Sequence, residues 1–257
     1  MLTSITFQNI KFRMDSLFTK VIKQINISHE LFILFEGFKM TSSTTTLPSS
    51  LINNYHGWRD RGLQEKKARY ASLAKNGQHP KTMIISCCDS RVHATTIFGV
   101  DTGEFFIHRN IANLVPAYST SQHYHGTSAA IEYAVTALGV TNLIVMGHTL
   151  CGGIQGCHDM CSGKAPELEK TTSFVGRWIN ILRPTYEEVA SEGGTDEEQV
   201  KRLEQKGILT SIENLMTFPF ISERVEAKQL SLHAVILDIS EGTIKQFDES
   251  SSCFVPV

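Results

Sequence analysis

The chain has 257 residues, 41% of them apolar, six cysteines and a formal net charge of −2. That balance argues against a basic nucleic-acid binder and against an acid-rich disordered chain, and the cysteines are too sparse for a disulfide scaffold, so reduced thiols in a cytoplasmic setting are expected. No apolar run approaches a bilayer span, the longest being short segments such as 143–147, so no membrane partner is expected.

Residues 1–39 are rich in Phe and Ile, with Lys11, Arg13, Lys20, Lys23 and Lys39 set against Asp15, Glu30 and Glu36. They lack the compact apolar core and small-residue cleavage site of a secretory signal, and their acidic residues weaken an organelle-targeting reading. Met40 precedes the low-complexity run 41–46. Residues 1–48 are therefore read as an extension: a long-start form, a disordered segment, or a transit peptide that would place the protein in an organelle. Residues 49–257 are read as a single α/β domain.

Ser49-Ser50 is expected to cap a helix through about Lys75, with Leu51, Ile52, Tyr55, Trp58 and Leu63 on its apolar side and Asn76-Gly77 as its stop. From Thr82 short apolar strands alternate with helices, the pattern of a parallel α/β sheet. Strands are expected at 82–86, 105–109, 142–147 and 231–239, with Glu241-Gly242 as a hairpin turn into an edge strand at 243–247. Helices are expected at 128–138, at 172–182 ending before Pro184, at 196–205 behind a Thr195/Glu198 capping box, and at 208–216 after Gly207.

Two clusters carry the chemistry: Cys87-Cys88-Asp89-Ser90-Arg91 and His148-Thr149-Leu150-Cys151. Each follows an apolar run and so falls at the carboxyl end of a strand, where open α/β sheets place their ligands. Strand alternation would turn Cys87, Asp89 and Arg91 one way and Cys88 and Ser90 the other. His148 and Cys151, three apart, would share a face on a first helical turn. Two thiolates and an imidazole form the three-ligand set of a catalytic zinc, with a fourth position left for water or substrate. The competing readings are a closed four-ligand site completed by Cys88 or Cys157, and plain burial of the cysteines as small hydrophobes. Asp89 and Arg91 have their own bland reading, a salt bridge that only shapes the turn. Cys157 and Cys161 are read as ordinary helix residues.

The pattern Cys-x-Asp-x-Arg followed by His-x-x-Cys-Gly-Gly resembles the β-class carbonic anhydrases, as do Gly103-Glu104-Phe105-Phe106, Arg109 to Val115 and Ala130 to Val135. The resemblance implies a four-stranded parallel core plus an edge strand, flanked by helices, behind an N-terminal helical arm, in a protein that is usually dimeric. It implies one Zn²⁺ per subunit on Cys87, His148 and Cys151, and reversible hydration of CO₂ to bicarbonate by attack of zinc-bound hydroxide. A zinc with two thiolates is formally neutral, so an unneutralised Asp89 beside its water would oppose ionisation; Arg91 offsets that carboxylate and holds it to orient the nucleophile.

The same resemblance places Gln78, Phe106, Ile111, Tyr133 and the Gly152 amide around the substrate, some reaching in from a partner subunit. Ile84 and Leu237 stand where some members carry a Trp and a Tyr of an inhibitory bicarbonate site, which points to the plant-type branch. His93, His108, His123 and His125 are candidates for carrying the proton away. Two rival functions are a carbonyl sulfide or carbon disulfide hydrolase on the same fold, and a non-catalytic zinc-stabilised interaction domain.

Overall fold

Thr82–Cys87 is a run of Met, Ile, Ser and Cys buried at every position after the first. A strand buried on both faces belongs in a parallel sheet covered by helices. The computed structural model describes residues 45–121 and 125–257, and the expectations for residues 1–39 and for His123 lie outside them. The chain divides after Gln64 into two units. In the first, α1 (Ser49–Gly57) runs into a π-helical turn at Trp58–Gly62, with Leu51, Ile52, Tyr55 and Trp58 exposed. Helix α2 (Leu63–Asn76) belongs almost wholly to the second unit, and Gly77 in the left-handed region stops it.

The second unit is built on one sheet of six strands: β1 (Thr82–Cys87), β2 (Phe105–Asn110), β3 (Asn142–His148), β4 (Ser231–Leu237), β5 (Ile244–Asp248) and β6 (Cys253–Pro256). Their order is β2-β1-β3-β4-β5-β6. The first four pair in parallel and the last two antiparallel. The parallel core and the strand β5 match the expectation, except that β5 is not the edge of the sheet. Strand β6, short and carrying Pro256, lies outside β5 and was not anticipated, because a proline-bearing run of four residues has little strand signal of its own.

Side chains alternate across the sheet. Met83, Ile85, Leu143, Val145, Ala234 and Ile236 pack on one face with Ile131, Ile208 and Leu215. Ile84, Met146, Val235 and Leu237 pack on the other with Val92 and Ala94. Each fully buried Ile or Leu contributes about 1.5–3 kcal/mol by its removal from water.

The helices are α3 (Ala94–Ile97), α4 (Gly126–Glu132), α5 (Gly152–Cys161), α6 (Phe174–Ile179), α7 (Arg183–Ser191), α8 (Asp196–Met216) and α9 (Pro219–Glu226). Helices α3 and α9 lie where no helix is expected, and three of the expected helical regions differ in their course. Helix α4 begins two residues early and finishes as a π turn at Tyr133–Ala137. Pro184 does not end the helical region but sits in the first turn of α7, where its missing N–H costs nothing. Gly207 does not divide α8; that helix runs unbroken from Asp196 to Met216 with Gly207 buried in its interior. The expected Thr195/Glu198 capping box is present.

Candidate metal centre

From β1 the chain goes to β2 on one side and then to β3 on the other. The crevice of such a sheet lies at the carboxyl ends of these central strands. Cys87 is the last residue of β1, and His148 is the last of β3. Cys151 is the N-cap of α5. The three are buried, and their ligand atoms all lie within 4.8 Å of one another. The Cys87 and Cys151 sulfurs are 3.9 Å apart, close to the ~3.8 Å separating two thiolates at about 2.3 Å from a tetrahedral zinc.

His148 and Cys151 do not share a helical face as expected. They converge because the link between β3 and α5 turns back through Leu150, which holds φ +58, a left-handed conformation that costs an ordinary residue about 1–2 kcal/mol. Several bonds hold that link. Thr149 N donates to Leu237 O at 2.9 Å and Ile239 N donates to Thr149 Oγ1 at 3.0 Å. The buried carboxylate of Glu204, from α8, accepts from Cys151 N at 3.0 Å. Helix α8 approaches this closely because β3 carries Gly147, whose missing Cβ would lie 2.5 Å from Ile208 Cδ1.

His148 Nδ1 donates to Thr149 O at 2.9 Å, since a carbonyl can only accept. That fixes the tautomer and leaves the Nε2 lone pair free. Nε2 is buried and has no hydrogen-bond partner, the state of a ring nitrogen reserved for a metal. The thiols are coupled: Cys87 is pushed down to about 4 by the hydrogen bond from Cys151, against the opposing effect of burial. Cys151 is pushed up by the same bond and by burial. Burial acts to lower the pKa of His148, and the Cys87 sulfur, the Thr149 carbonyl and the Asp89 carboxylate together more than reverse it. Two buried sulfurs this close cannot both ionise unaided, so the donor set calls for a cation, and two thiols with one imidazole suit zinc.

Asp89 and Arg91 pair, but in a turn rather than by strand alternation. Val92 N donates to Asp89 O at 3.0 Å to close that turn. Arg91 donates to Asp89 Oδ1 from Nε at 2.9 Å and from its backbone N at 2.9 Å, and to Oδ2 from Nη2 at 2.7 Å. These bonds hold the Asp89 carboxyl well below the usual range, so it is ionised at neutral pH. Arg91 also donates to Leu150 O at 3.1 Å, tying the two clusters together.

Cys88 and Ser90 are exposed, and neither Cys88 nor Cys157 joins the ligand cluster. Cys157 is fully buried and its thiol is pushed up by that burial. The closed four-ligand arrangement is therefore not formed among the described residues.

Gly152 follows Cys151 as the first residue of α5. Ile111 directly follows β2, and its carbonyl accepts from Trp178 Nε1 at 2.8 Å. Gln78, Phe106 and Tyr133 are not brought to the cluster within one chain. Gln78 precedes β1, at the end opposite Cys87, and is exposed. Phe106 pairs in register with Met83, whereas Cys87 pairs with Asn110, about 13 Å farther along the strand. Tyr133 packs tilted against Phe106 at 5.8 Å between ring centroids. Of the histidines, His93 is exposed and bound to Thr95 Oγ1, His108 meets Thr127 Oγ1, and His125 meets Ser128 Oγ.

Glu204 and Arg109 had no assigned role at the level of sequence. Glu204 carried one signal: it falls on the stripe Val200, Leu203, Gly207, Ile208, where a carboxylate is out of place unless it has a buried partner.

A family model described as carbonic anhydrase matches residues 82–244. "Beta carbonic anhydrase 3" of Arabidopsis thaliana is 38% identical over 176 residues, 68% of this chain, which spans 66% of that relative's length. "Carbonic anhydrase" of Helicobacter pylori is 32% identical over 200 residues, 76% of this chain and 87% of the relative. Among solved structures, the β-carbonic anhydrase CcaA is similar with a TM-score of 0.73 at 30% identity, over 81% of this chain and 91% of that one. One from a study of two tetrameric β-carbonic anhydrases from Sordaria macrospora gives 0.65 at 29% identity, over 80% and 98%.

Proposed function

Because the chain belongs to the β-carbonic anhydrase family, whose general reaction is the hydration of CO₂, we propose that it catalyses that reaction with zinc held by Cys87, His148 and Cys151. The observation that carries this is the buried ligand triad, its atoms within 4.8 Å of one another, with the Asp89–Arg91 pair presented on the loop that follows Cys87. Zinc bound there supplies Lewis acidity that lowers the pKa of water.

The chain's residues do the rest. Asp89, kept ionised by Arg91, accepts a hydrogen bond from the attacking water and so aims an oxygen lone pair at the carbon of CO₂. One C–O bond forms as one C=O π bond of CO₂ opens and leaves its electron pair on that oxygen, bicarbonate results, and the water's proton leaves to solvent. Arg91 neutralises the carboxylate so that it does not oppose ionisation of the water. The Gly152 amide, at the start of α5, offers a donor to an anionic product, and Ile111 offers apolar surface to CO₂. Ile84 and Leu237 share an apolar cluster, which favours the plant-type reading, without an inhibitory anion site there.

Gln78, Phe106 and Tyr133 complete the pocket from a second copy in this reading, which makes the working form a dimer or a dimer-based assembly. The exposure of Ile107, Ile111 and Tyr133 along and beside the edge strand β2 supports such a contact. No helix of the described residues is long and apolar enough to cross a membrane.

Stopped-flow CO₂ hydration by the purified protein tests the proposal, with zinc removed by chelation and restored. Acceleration that follows the zinc content is expected; a zinc-loaded protein without acceleration would sink the enzymatic reading in favour of an interaction domain.

A further inference from the structure

Arg109 stands on β2 in register with Ser86, one position short of the end of β1. Beyond that end the carbonyls of the Cys87–Val92 loop have no parallel neighbour to bond them, and Arg109 reaches across to take three. Its Nε donates to Cys87 O at 2.8 Å, and its Nη2 donates to Asp89 O at 2.7 Å and Val92 O at 2.8 Å. Among the described residues it makes no ion pair with a carboxylate, although its side chain is partly buried. A guanidinium in that position ordinarily pairs with an acid; here its charge is spent on the backbone that carries a metal ligand and an acceptor carboxylate.

We propose that Arg109 is a positioning residue for the metal-bearing loop. Its planar fork holds Cys87, Asp89 and Val92 by their carbonyls, so that the Cys87 sulfur faces His148 and Cys151 while the Asp89 carboxylate stands beside them. The two arginines divide the work. Arg91, largely exposed, grips the Asp89 side chain, whereas Arg109 grips the main chain of the same residue. Asp89 is held from both ends, and the metal site inherits its geometry from a strand that supplies none of its ligands. The Asp89 carbonyl serves twice, since Val92 N and Arg109 both donate to it. Lysine cannot replace this grip, because a single ammonium does not reproduce the flat spread of Nε and Nη2 across three acceptors. The inference rests on the zinc reading of the Cys87, His148 and Cys151 cluster.

The test compares Arg109→Lys and Arg109→Gln with the wild type as full-length, zinc-loaded proteins and again after cobalt(II) substitution. Both variants are expected to keep the far-UV circular dichroism of the wild type and to release zinc to a chelator about 10–100-fold faster. Their cobalt d–d bands are expected to move, a sign of altered ligand geometry that loss of stability alone does not give. Wild-type zinc release together with an unchanged cobalt spectrum in both variants overturns the proposal.

Should neither variant fold, the wild type still decides. Its Arg109 Nε–H resonance is expected to exchange slowly with solvent and to shift when zinc is removed; a fast-exchanging Nε–H overturns the proposal. The two readings fail separately: a wild type that does not hydrate CO₂ but whose variants show displaced cobalt bands defeats the enzymatic reading and leaves the role of Arg109.

Discussion

The guanidinium of Arg91 grips both oxygens of Asp89, Nε to Oδ1 at 2.9 Å and Nη2 to Oδ2 at 2.7 Å, while its own backbone N–H adds a third bond to Oδ1. A carboxylate held at both oxygens presents one fixed direction to anything beside it. In the proposed reaction that direction orients the nucleophile and binds no metal, so the duties of Asp89 and Cys87 are separable.

Asp89→Asn should therefore keep its zinc and lose about 10²–10³ in kcat, the scale of removing one oriented polar group from a reaction centre. Cys87→Ser should lose both metal and activity. Zinc content measured beside stopped-flow rates separates the two, and metal loss in Asp89→Asn would contradict this division of roles.

Glu204 is buried, and desolvation pushes its carboxyl up even though the Cys151 amide favours the ionised form. Glu204→Gln retains an acceptor for Cys151 N, whereas Glu204→Leu leaves that amide unpaired. The leucine variant is expected to lose about 1–3 kcal/mol in urea unfolding and to hold zinc about 10–100-fold more weakly. The glutamine variant should lie much nearer the wild type; equal losses in both would mean that Glu204 acts through its charge.

Gly147 lets α8 approach β3 where the ligand strand ends. Gly147→Ala should cost about 1–3 kcal/mol by overpacking against Ile208. Adding Ile208→Val, which removes the Cδ1 nearest the new methyl, should recover part of that loss. Additive losses in the double variant would show that the clash is not where stability is lost.

Asp248 is pushed down to about 2 by the hydroxyls of Ser251 and Ser250 and the Ser251 amide in the turn between β5 and β6. A folded-state pKa below the unfolded value contributes stability that is complete above about pH 4 and disappears as pH falls toward 2. Asp248→Asn should be less stable than the wild type at pH 6, by a margin that narrows at pH 3. Chemical unfolding at the two pH values measures this, and a constant margin would contradict the assignment.

Local sequence determined much of this molecule. Apolar runs ending in polar residues placed Cys87 and His148 at the ends of β1 and β3, and Thr195 with Glu198 marked the start of α8. Hydrophobic period and capping chemistry act between near neighbours, so they are readable along the chain. The ligand types, two thiols and an imidazole, were legible for the same reason.

Tertiary structure alone decided how those residues meet. Leu150 takes a left-handed turn that its side chain does not favour, because the adjacent Cys151 amide is held by Glu204, 53 residues beyond Cys151, and Thr149 is bonded to the end of β4. Arg109 gathers three carbonyls that become its neighbours only when β2 pairs with β1. Gly207 resembles a helix break, yet the helix continues through it with Gly207 buried. A hydrogen bond or a packing contact between distant segments leaves no periodic trace in either one, and the geometry of the candidate metal centre is made of such contacts.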